Sequence, residues 1–293
     1  MTSKSKTGYI GVGLMGLPMA KRLLSLGYSV RAYDIAPGQI ATAVKAGAQA
    51  ASSAADAVRG ADLVLLNLPT PDAVEAAVFG ENGVASTLKP PQLLIDFSTN
   101  KVHQTKAFAR RLREMTGAGW IDAPVSGGPP ASGSGTLTVM AGGEAAEIAR
   151  ARPLFADVAG NFTHMGPSGA GMATKMLNQL IVGSGHAVMA EAVVLAEAAG
   201  IDPARLPECL AGGLADSPLL QRLYPRMVAR DFAPQGYVRQ LLKDLEMVNE
   251  FAGALKAPTP MMSEALTLYR MLAHLGHTEL DTAALLKLYE RHG

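Results

Sequence analysis

The stretch that decides the fold is YIGVGLMGLPMAKRLLSLGYSVRAYD, residues 9–34. It places the spacing Gly11-x-Gly13-x-x-Gly16 between an apolar run that predicts a strand and a second run that predicts a helix. Asp34 follows 18 residues after Gly16, at the end of the next predicted strand. A glycine triplet alone is a weak signal, but this strand–turn–helix–strand context indicates a dinucleotide-binding unit.

The three glycines have separate roles in such a turn. Gly11 allows the tight turn, Gly13 lets the backbone approach a pyrophosphate, and Gly16 lets helix and strand pack closely. The N–H groups at the start of the following helix then face the negative charge. The cofactor-binding residues predicted in the turn are Gly11, Val12, Gly13, Leu14, Met15 and Gly16.

Asp34 predicts which dinucleotide is bound. Its carboxylate can accept hydrogen bonds from both hydroxyls of an adenosine ribose and would repel a 2′-phosphate. Residues 35–38, which follow, contain no arginine that could receive such a phosphate. We therefore predict NAD rather than NADP. The structural alternative is that Asp34 only caps a turn before Pro37.

Strands and short helices alternate through the first half of the chain, which predicts a doubly wound Rossmann-type parallel sheet. The predicted strands cover residues 8–12, 29–33, 63–68, 93–97 and 120–123, and the predicted helices cover residues 17–26, 40–45, 73–79 and 101–115.

The pattern changes after Gly166. Residues 172–200 form a long run that is apolar almost all round, as in a buried helix. Further helices are predicted at residues 206–210, 219–229, 237–255, 261–275 and 282–291. We predict an NAD-binding domain at residues 1–166 and an all-helical substrate and dimerisation domain at residues 167–293, which begins with a long interdomain helix. A homodimer or homotetramer is expected.

Composition excludes several classes of function. The chain has 293 residues, 48% of them hydrophobic, and a net charge of +1 without a long basic tract, so neither nucleic acid nor a membrane is expected as a partner. The opening MTSKSK is interpreted as a short tail and not as a secretory signal. The single Cys209 excludes an intrachain disulfide and is predicted to be a buried hydrophobe in a cytoplasmic protein. The six histidines lack metal-ligand spacing, so no metal is expected.

Three further segments follow the turn in order. They are DAPVSGG at residues 122–128, GAGMATKMLNQ at residues 169–179 and KDL at residues 243–245. With the glycine turn, they resemble the four motifs of the β-hydroxyacid dehydrogenase family over roughly residues 8–290. The resemblance implies an NAD(P)-dependent enzyme that transfers hydride between nicotinamide and a short hydroxy acid or semialdehyde acid.

The second motif is implied to hold the substrate carboxylate through Ser126, Gly127 and Gly128. Successive glycine N–H groups and a serine hydroxyl can form a small anion-binding nest that no side chain obstructs. A plain glycine turn that leads into a hairpin is the structural alternative.

The third motif places Lys175, Asn178 and Gln179 on one helix face, because they are three and four residues apart. The resemblance implies that Lys175 is the general acid or base, that Asn178 orients the substrate and that Gln179 contributes to the same site. A lysine on an apolar helix is costly unless it is paired or used. The alternative is a lysine whose ammonium group reaches solvent at the start of the helix.

The remaining predicted cofactor contacts come from three places. Lys243 of the fourth motif is implied by the resemblance to lie beside the nicotinamide, although an exposed Lys-Asp pair on a helix would look the same. Leu68, Pro69 and Thr99 follow predicted parallel strands at their carboxyl ends, where ligands collect in such sheets.

The order Lys175-x-x-Asn178-Gln179 and the segment GGLADS at residues 212–217 are closest to the tartronate semialdehyde (2-hydroxy-3-oxopropionate) reductase branch of the family. The alternatives are the 3-hydroxyisobutyrate, 4-hydroxybutyrate, threonate and serine dehydrogenases, which share the same core. Leu177 disfavours the 6-phosphogluconate branch, which has a histidine at this place, and Lys175 disfavours imine reductases. A non-catalytic NAD-binding scaffold is the most distant alternative.

Overall fold

The structure is a computed structural model that describes residues 4–290. It divides into two compact units, Met1–Lys175 (the sheet unit) and Met176–Gly293 (the helical unit). The division falls within the long helix that had been expected to start the second domain, and the predicted boundary at residue 166 stays a prediction. The first three residues of the predicted tail and Arg291 lie outside the described residues.

A nine-stranded sheet forms the centre of the sheet unit. Its strands are β1 (Lys6–Ile10), β2 (Ser29–Tyr33), β3 (Gln49–Ala50), β4 (Leu63–Leu66), β5 (Leu93–Asp96), β6 (Gly119–Asp122), β7 (Val125–Ser126), β8 (Leu137–Gly142) and β9 (Ala159–Gly166). The order β3-β2-β1-β4-β5-β6 is parallel throughout, β8 pairs antiparallel with β6 and β7, and β9 pairs parallel with β8. The predicted doubly wound α/β fold is confirmed.

Helices cover both faces of this sheet. They are α1 (Gly16–Ser25), α2 (Pro37–Lys45), α3 (Ala54–Val58), α4 (Pro71–Phe79), a 3₁₀ turn (Val84–Ser86), α5 (Val102–Thr116), α6 (Gly128–Ser134) and α7 (Ala145–Val158). Tyr9 and Leu65 pack into a cluster with α1, α2 and α7, whereas the adjacent Ile10 and Val64 pack into a second cluster with α3, α4 and α5. Because these strands are buried on both faces, their sequences are continuous apolar runs.

Several elements differ from the prediction. The prediction omitted the strands β3, β7 and β9 and the helices α3, α6 and α7. Strand β1 covers Lys6–Ile10, so the predicted strand at residues 8–12 began and ended too late. The strand stops there because Gly11 takes a left-handed φ of 88°, which is incompatible with extended backbone.

The second half of the chain is helical, as predicted. It contains α8 (Ala170–Ala198), a 3₁₀ turn (Pro203–Arg205), α9 (Leu206–Leu210), α10 (Pro218–Val228), α11 (Val238–Ala254), α12 (Pro260–His274) and a 3₁₀ helix (Thr282–Tyr289). The last element was predicted as an ordinary helix. The prediction that Cys209 is buried is wrong, because its side chain is exposed near the end of the short helix α9.

Helix α8 is long and apolar enough to cross a membrane by length and composition alone, and it is the one such helix among residues 4–290. A core helix of a soluble protein meets the same criteria. Two glycines, Gly183 and Gly185, and the buried His186 interrupt its apolar surface.

Candidate active site

The glycine turn after β1 leaves space where a dinucleotide would need it. A Cβ added to Gly11 would lie 2.3 Å from the carbonyl oxygen of Asn67, and a Cβ added to Gly16 would lie 1.9 Å from the carbonyl oxygen of Gly11. At Gly13, in contrast, no described atom lies within 4 Å of that position. Two glycines are therefore required by packing, and the middle one keeps the approach to the backbone open.

The start of α1 adds partial positive charge to this turn. No described side chain caps the helix, and its first turn contains no acidic residue. The Leu17 N–H already donates to the Gly13 carbonyl oxygen at 3.0 Å and Pro18 has no N–H, so an anion would be bound by the N–H groups of the turn up to Gly16. Val12 is buried under the turn, Met15 packs against the sheet cluster, and Leu14 is exposed. These features fit the pyrophosphate of a dinucleotide.

Asp34 is held by two backbone groups. Its Oδ2 accepts a hydrogen bond from the Val12 N–H at 2.9 Å, and its Oδ1 accepts one from the Ala36 N–H at 2.9 Å. The second bond is the local turn that had been considered as an alternative role. A carboxylate has about four lone-pair positions, so it can accept ribose hydroxyls while it keeps both bonds.

The carboxyl ends of β4 and β5 are joined by hydrogen bonds. The Leu68 N–H donates to Ser98 Oγ at 2.9 Å, which fixes the start of the loop that contains Pro69. Asp96 accepts from the Ser98 N–H at 2.9 Å and from Asn100 Nδ2 at 2.7 Å. The adjoining Thr99 is half-buried.

Asp122, the first residue of the second motif, binds the start of α8. Its Oδ1 accepts from the Gly169 N–H at 2.7 Å, and its Oδ2 accepts from the Met172 N–H at 2.9 Å. An added Cβ at Gly171 would lie 2.6 Å from the Asp122 carbonyl oxygen, so only glycine permits this approach. A buried carboxylate thus caps the helix that carries Lys175. Sequence reasoning missed this role, because the contacts connect distant parts of the chain.

Asp96 and Asp122 are paired neighbours on β5 and β6, and both are fully buried. Burial raises the pKa of Asp96 to about 7, with a smaller contribution from the nearby Asp122. Burial also raises the pKa of Asp122 to about 6, against the opposing effect of its backbone hydrogen bonds. The charged forms of these carboxyl groups are therefore disfavoured at the edge of the sheet where ligands are expected.

The three residues predicted to hold a carboxylate lie between β7 and α6. Ser126 ends β7, Gly127 has a φ of 130°, and Gly128 begins α6 with a φ of 72°. Two successive positive φ values require glycine. An added Cβ at Gly127 would also lie 2.6 Å from the Ala131 Cβ.

Lys175 contacts the strand just before these glycines. Its Nζ donates a hydrogen bond to the Val125 carbonyl oxygen at 2.8 Å, and only 7% of the residue is exposed. The alternative in which its ammonium group reaches solvent is therefore wrong, because the side chain is buried in the sheet unit. The second and third motifs meet at this hydrogen bond.

Asn178 and Gln179 belong to the helical unit and contact the fourth motif. Asn178 Nδ2 donates to Gln179 Oε1 at 2.8 Å, and Gln179 Nε2 donates to Asp244 Oδ2 at 2.6 Å. Lys243 Nζ lies 3.2 Å from the other oxygen, Asp244 Oδ1. We call these four residues the polar relay. Sequence reasoning identified three of its members but missed how Asp244 connects them.

A close approach of two helices makes the polar relay possible. Gly183, one turn after Gln179 on α8, has Leu245 of α11 against it, and an added Cβ would lie 2.6 Å from Leu245 Cδ2. The absence of a side chain at Gly183 lets α11 come near enough for Asp244 to meet Gln179.

Comparison with known proteins agrees with this organisation. The family profile of the NAD binding domain of 6-phosphogluconate dehydrogenase matches residues 6–166. The profile of the NAD-binding domain of NADP-dependent 3-hydroxyisobutyrate dehydrogenase matches residues 169–289.

Full-length relatives include enzymes that act on different acids. The chain is 36% identical to an NAD-dependent L-serine dehydrogenase of Pseudomonas aeruginosa, over 96% of this chain and 97% of that enzyme. It is 34% identical to the 2-hydroxy-3-oxopropionate reductase of Escherichia coli, over 97% of each.

A solved structure has the same fold. The 3-hydroxyisobutyrate dehydrogenase of Mycobacterium tuberculosis, determined with L-serine, has a TM-score of 0.87 and 30% identity, over 98% of this chain and 99% of that chain. The chain therefore belongs to the β-hydroxyacid dehydrogenase family and is an NAD-dependent oxidoreductase that acts on CH–OH groups.

Proposed function

We propose that this enzyme interconverts a short β-hydroxy acid and its semialdehyde, with Lys175 as the proton-transfer group. The observation that carries the proposal is the hydrogen bond of 2.8 Å from Lys175 Nζ to the Val125 carbonyl oxygen. It holds a buried ammonium group beside the segment whose glycines can bind a carboxylate. Because Val125 directly precedes Ser126, a proton donor at Lys175 and a carboxylate anchor at residues 126–128 would fit a substrate only a few atoms long.

Ser126, Gly127 and Gly128 are proposed to bind the substrate carboxylate. The positive φ values of both glycines support this assignment, because backbone of this kind forms concave groups of N–H donors for anions. A side chain at either glycine would strain the backbone.

NAD is proposed to occupy residues 11–16 with its pyrophosphate and Asp34 with its adenosine ribose. Leu68, Pro69 and Thr99 are proposed to line the same cofactor, and Lys243 is proposed to lie near its nicotinamide. When bound, NAD supplies the hydride acceptor or donor of the reaction. Asp34 supports a preference for NAD over NADP. Measuring kcat/KM with each cofactor tests this preference, and Asp34→Ala should narrow the difference in kcat/KM between the two cofactors.

Lys175 is proposed to transfer the proton. In reduction, its ammonium group gives a proton to the carbonyl oxygen while hydride adds to the carbonyl carbon. In oxidation, the neutral amine takes the hydroxyl proton while hydride leaves the same carbon. Asn178, one helical turn further on, is proposed to orient the reacting oxygen.

Tartronate semialdehyde is the proposed substrate, supported by the order Lys175-x-x-Asn178-Gln179 and by the Escherichia coli relative. L-serine is the second candidate, because the Pseudomonas aeruginosa relative has a similar identity. Serine, 3-hydroxyisobutyrate and glycerate, the reduction product of tartronate semialdehyde, share a CH₂OH group next to the carbon that bears the carboxylate. They differ in one substituent on that carbon, which is ammonium, methyl or hydroxyl.

A substrate panel tests the proposal. Tartronate semialdehyde with NADH, and glycerate, L-serine, 3-hydroxyisobutyrate, 4-hydroxybutyrate and threonate with NAD, are compared by kcat/KM from the NADH absorbance. We expect tartronate semialdehyde to be the best aldehyde and glycerate the best alcohol. A higher kcat/KM for serine than for glycerate would assign the enzyme to serine instead, and the absence of turnover of any β-hydroxy acid would refute the reaction class.

A homo-oligomer in the cytoplasm is also proposed. Four apolar side chains on α8, Leu177, Ile181, Val188 and Leu195, are between 56% and 71% exposed, at spacings of four, seven and seven residues. Such a stripe favours burial against a second copy of the chain. Sedimentation equilibrium tests this, and a monomer at micromolar concentration would contradict it.

A further inference from the structure

The polar relay has a fixed direction, which starts at Asp244. A carboxylate can only accept hydrogen bonds, so the Gln179 group that meets Asp244 Oδ2 at 2.6 Å must be the Nε2 donor. The opposite end of the same amide, Oε1, then faces Asn178 and can only accept. Asn178 must therefore turn its Nδ2 toward Gln179, at 2.8 Å, and its Oδ1 away from Gln179.

We propose that Asp244 and Gln179 are positioning residues that make Asn178 present its carbonyl oxygen to the substrate hydroxyl. The inference rests on the proposed function, which places Asn178 at the reacting oxygen. In the complex with NADH, the Lys175 ammonium group would donate to the hydroxyl oxygen of the β-hydroxy acid, and the hydroxyl would donate its proton to Asn178 Oδ1. In oxidation, rotation about the C–O bond would turn that proton to the neutral Lys175 amine, which takes it. Gln179 thus acts through Asn178.

Burial makes this direction hard to reverse. Gln179 is 8% exposed and Asp244 is 7% exposed, so water has little access to satisfy a misplaced donor. A flipped Gln179 would direct its carbonyl oxygen at a carboxylate oxygen, and two buried acceptors in contact are strongly unfavourable. The ion pair of Lys243 with Asp244 Oδ1 keeps the negative charge in place.

The direction can be inverted without a change of shape. Asp244→Asn replaces one carboxylate oxygen by NH₂, and Lys243, 3.2 Å from the Oδ1 position, attracts the remaining oxygen. The new NH₂ group then faces Gln179, which must flip to accept from it. Asn178 flips in turn and presents Nδ2, a donor, to the substrate hydroxyl.

A second isosteric substitution should restore the original direction. In the double variant Asp244→Asn with Gln179→Glu, the new glutamate accepts from the NH₂ group at position 244 and also from Asn178 Nδ2. Asn178 again presents Oδ1. The negative charge has moved from position 244 to position 179, but Asn178 presents the same amide atom to the substrate as in the wild type.

The experiment measures ligand binding to the enzyme–NADH complex by NADH fluorescence, in which hydroxy acids bind without reacting. Each hydroxy acid is paired with the acid that lacks the reacting hydroxyl: glycerate with lactate, and L-serine with L-alanine. We expect Asp244→Asn to weaken the binding of glycerate about tenfold and that of lactate less than about twofold, because the hydroxyl proton of glycerate then has no acceptor at Asn178. The double variant should recover glycerate binding to within about threefold of wild type.

Two results would overturn the relay. Equal weakening of glycerate and lactate by Asp244→Asn would show a general structural role, and a double variant no better than Asp244→Asn would show that polarity is not what matters. NADH affinity and the circular dichroism spectrum of each variant check that it is folded. If wild-type enzyme neither binds nor oxidises any hydroxy acid of the panel, the proposed function fails; if it does and Asp244→Asn changes nothing, only the relay fails.

Discussion

The two units hold their candidate functional groups by different means. In the sheet unit the backbone does most of this work: Lys175 donates to a carbonyl oxygen, Asp34 and Asp122 accept from N–H groups, and glycines form the turns. In the helical unit, side chains orient other side chains, from Asp244 through Gln179 to Asn178.

The difference follows from secondary structure. Loops at the ends of strands leave N–H and C=O groups free to bind a ligand or a side chain. Helices use their own backbone groups internally, so a helical unit has mainly side chains to offer. We therefore expect glycine substitutions to be most harmful in the sheet unit and changes of side-chain polarity to be most informative in the helical unit.

The largest effect is expected for the lysine that the sheet unit anchors. Lys175→Ala should reduce kcat by about two to four orders of magnitude, the usual contribution of a positioned proton donor. NADH affinity should be retained, because residues 11–16 and Asp34 are unchanged. Lys175→Arg should not restore activity, since guanidinium does not release a proton near neutral pH. A kcat within a few-fold of wild type in Lys175→Ala would mean that the proton comes from elsewhere.

The next effect concerns the backbone that is proposed to bind the carboxylate. Gly127→Ala should raise KM for the hydroxy acid at least about tenfold, because φ is 130° and the new Cβ would lie 2.6 Å from the Ala131 Cβ. Gly133→Ala, in α6, is the matched control, since its Cβ would lie 3.6 Å from its nearest neighbour. Similar KM values for the two variants would remove residues 126–128 from the carboxylate site.

A pH-dependent effect is expected at the buried carboxyl pair. The pKa of Asp96 is raised to about 7, so between about pH 4 and 7 the folded protein keeps a proton that the unfolded chain has lost. Stability from this group is fully present below about pH 4 and is lost progressively as the pH rises from about 4 to about 7. Relative to Asp96→Asn, the wild type should lose about 1 kcal/mol of unfolding free energy per pH unit in this window. Urea unfolding measures this difference. If the unfolding free energies of the wild type and Asp96→Asn changed equally with pH, the raised pKa of Asp96 would be contradicted.

The smallest effect tests the approach of α8 and α11 in the helical unit. Gly183→Ala should cost about 1–2 kcal/mol of unfolding free energy, because the new Cβ would lie 2.6 Å from Leu245 Cδ2. Gly253→Ala, on α11 and without a described neighbour within 4 Å, should gain up to about 1 kcal/mol from helix propensity. Thermal unfolding compares the two, and equal stabilities would show that the helices do not depend on Gly183.

The same contrast explains what could be predicted from sequence. The turn of Gly11, Gly13 and Gly16 was predictable because a local spacing of glycines between a strand and a helix specifies it. Short elements such as α3 and α6 were missed, since AADAV lacks an apolar periodicity and GPPASGS has the composition of a loop. Proline in the first turn starts α6 nevertheless, because its fixed φ suits that position.

Contacts between distant parts of the chain could not be predicted from local sequence patterns. The sequence indicated that Gln179 lies on the face of Lys175, but not that Asp244, 65 residues away, receives its amide. Cys209 was expected to be buried from the average behaviour of cysteine, whereas the short helix α9 leaves it exposed. Substrate contacts for residues 126–128 and for Asn178 remain predictions.

Carboxylate recognition is tested most directly by the oxidation by NAD of the best β-hydroxy acid and of its methyl ester, which lacks the negative charge and carries one additional methyl group. If residues 126–128 bind a carboxylate beside Lys175, kcat/KM for the ester should be about two orders of magnitude lower, because the neutral ester makes no charge-assisted hydrogen bonds there. An ester oxidised as efficiently as the acid would contradict carboxylate recognition, and with it the central claim that this site is built for short hydroxy acids.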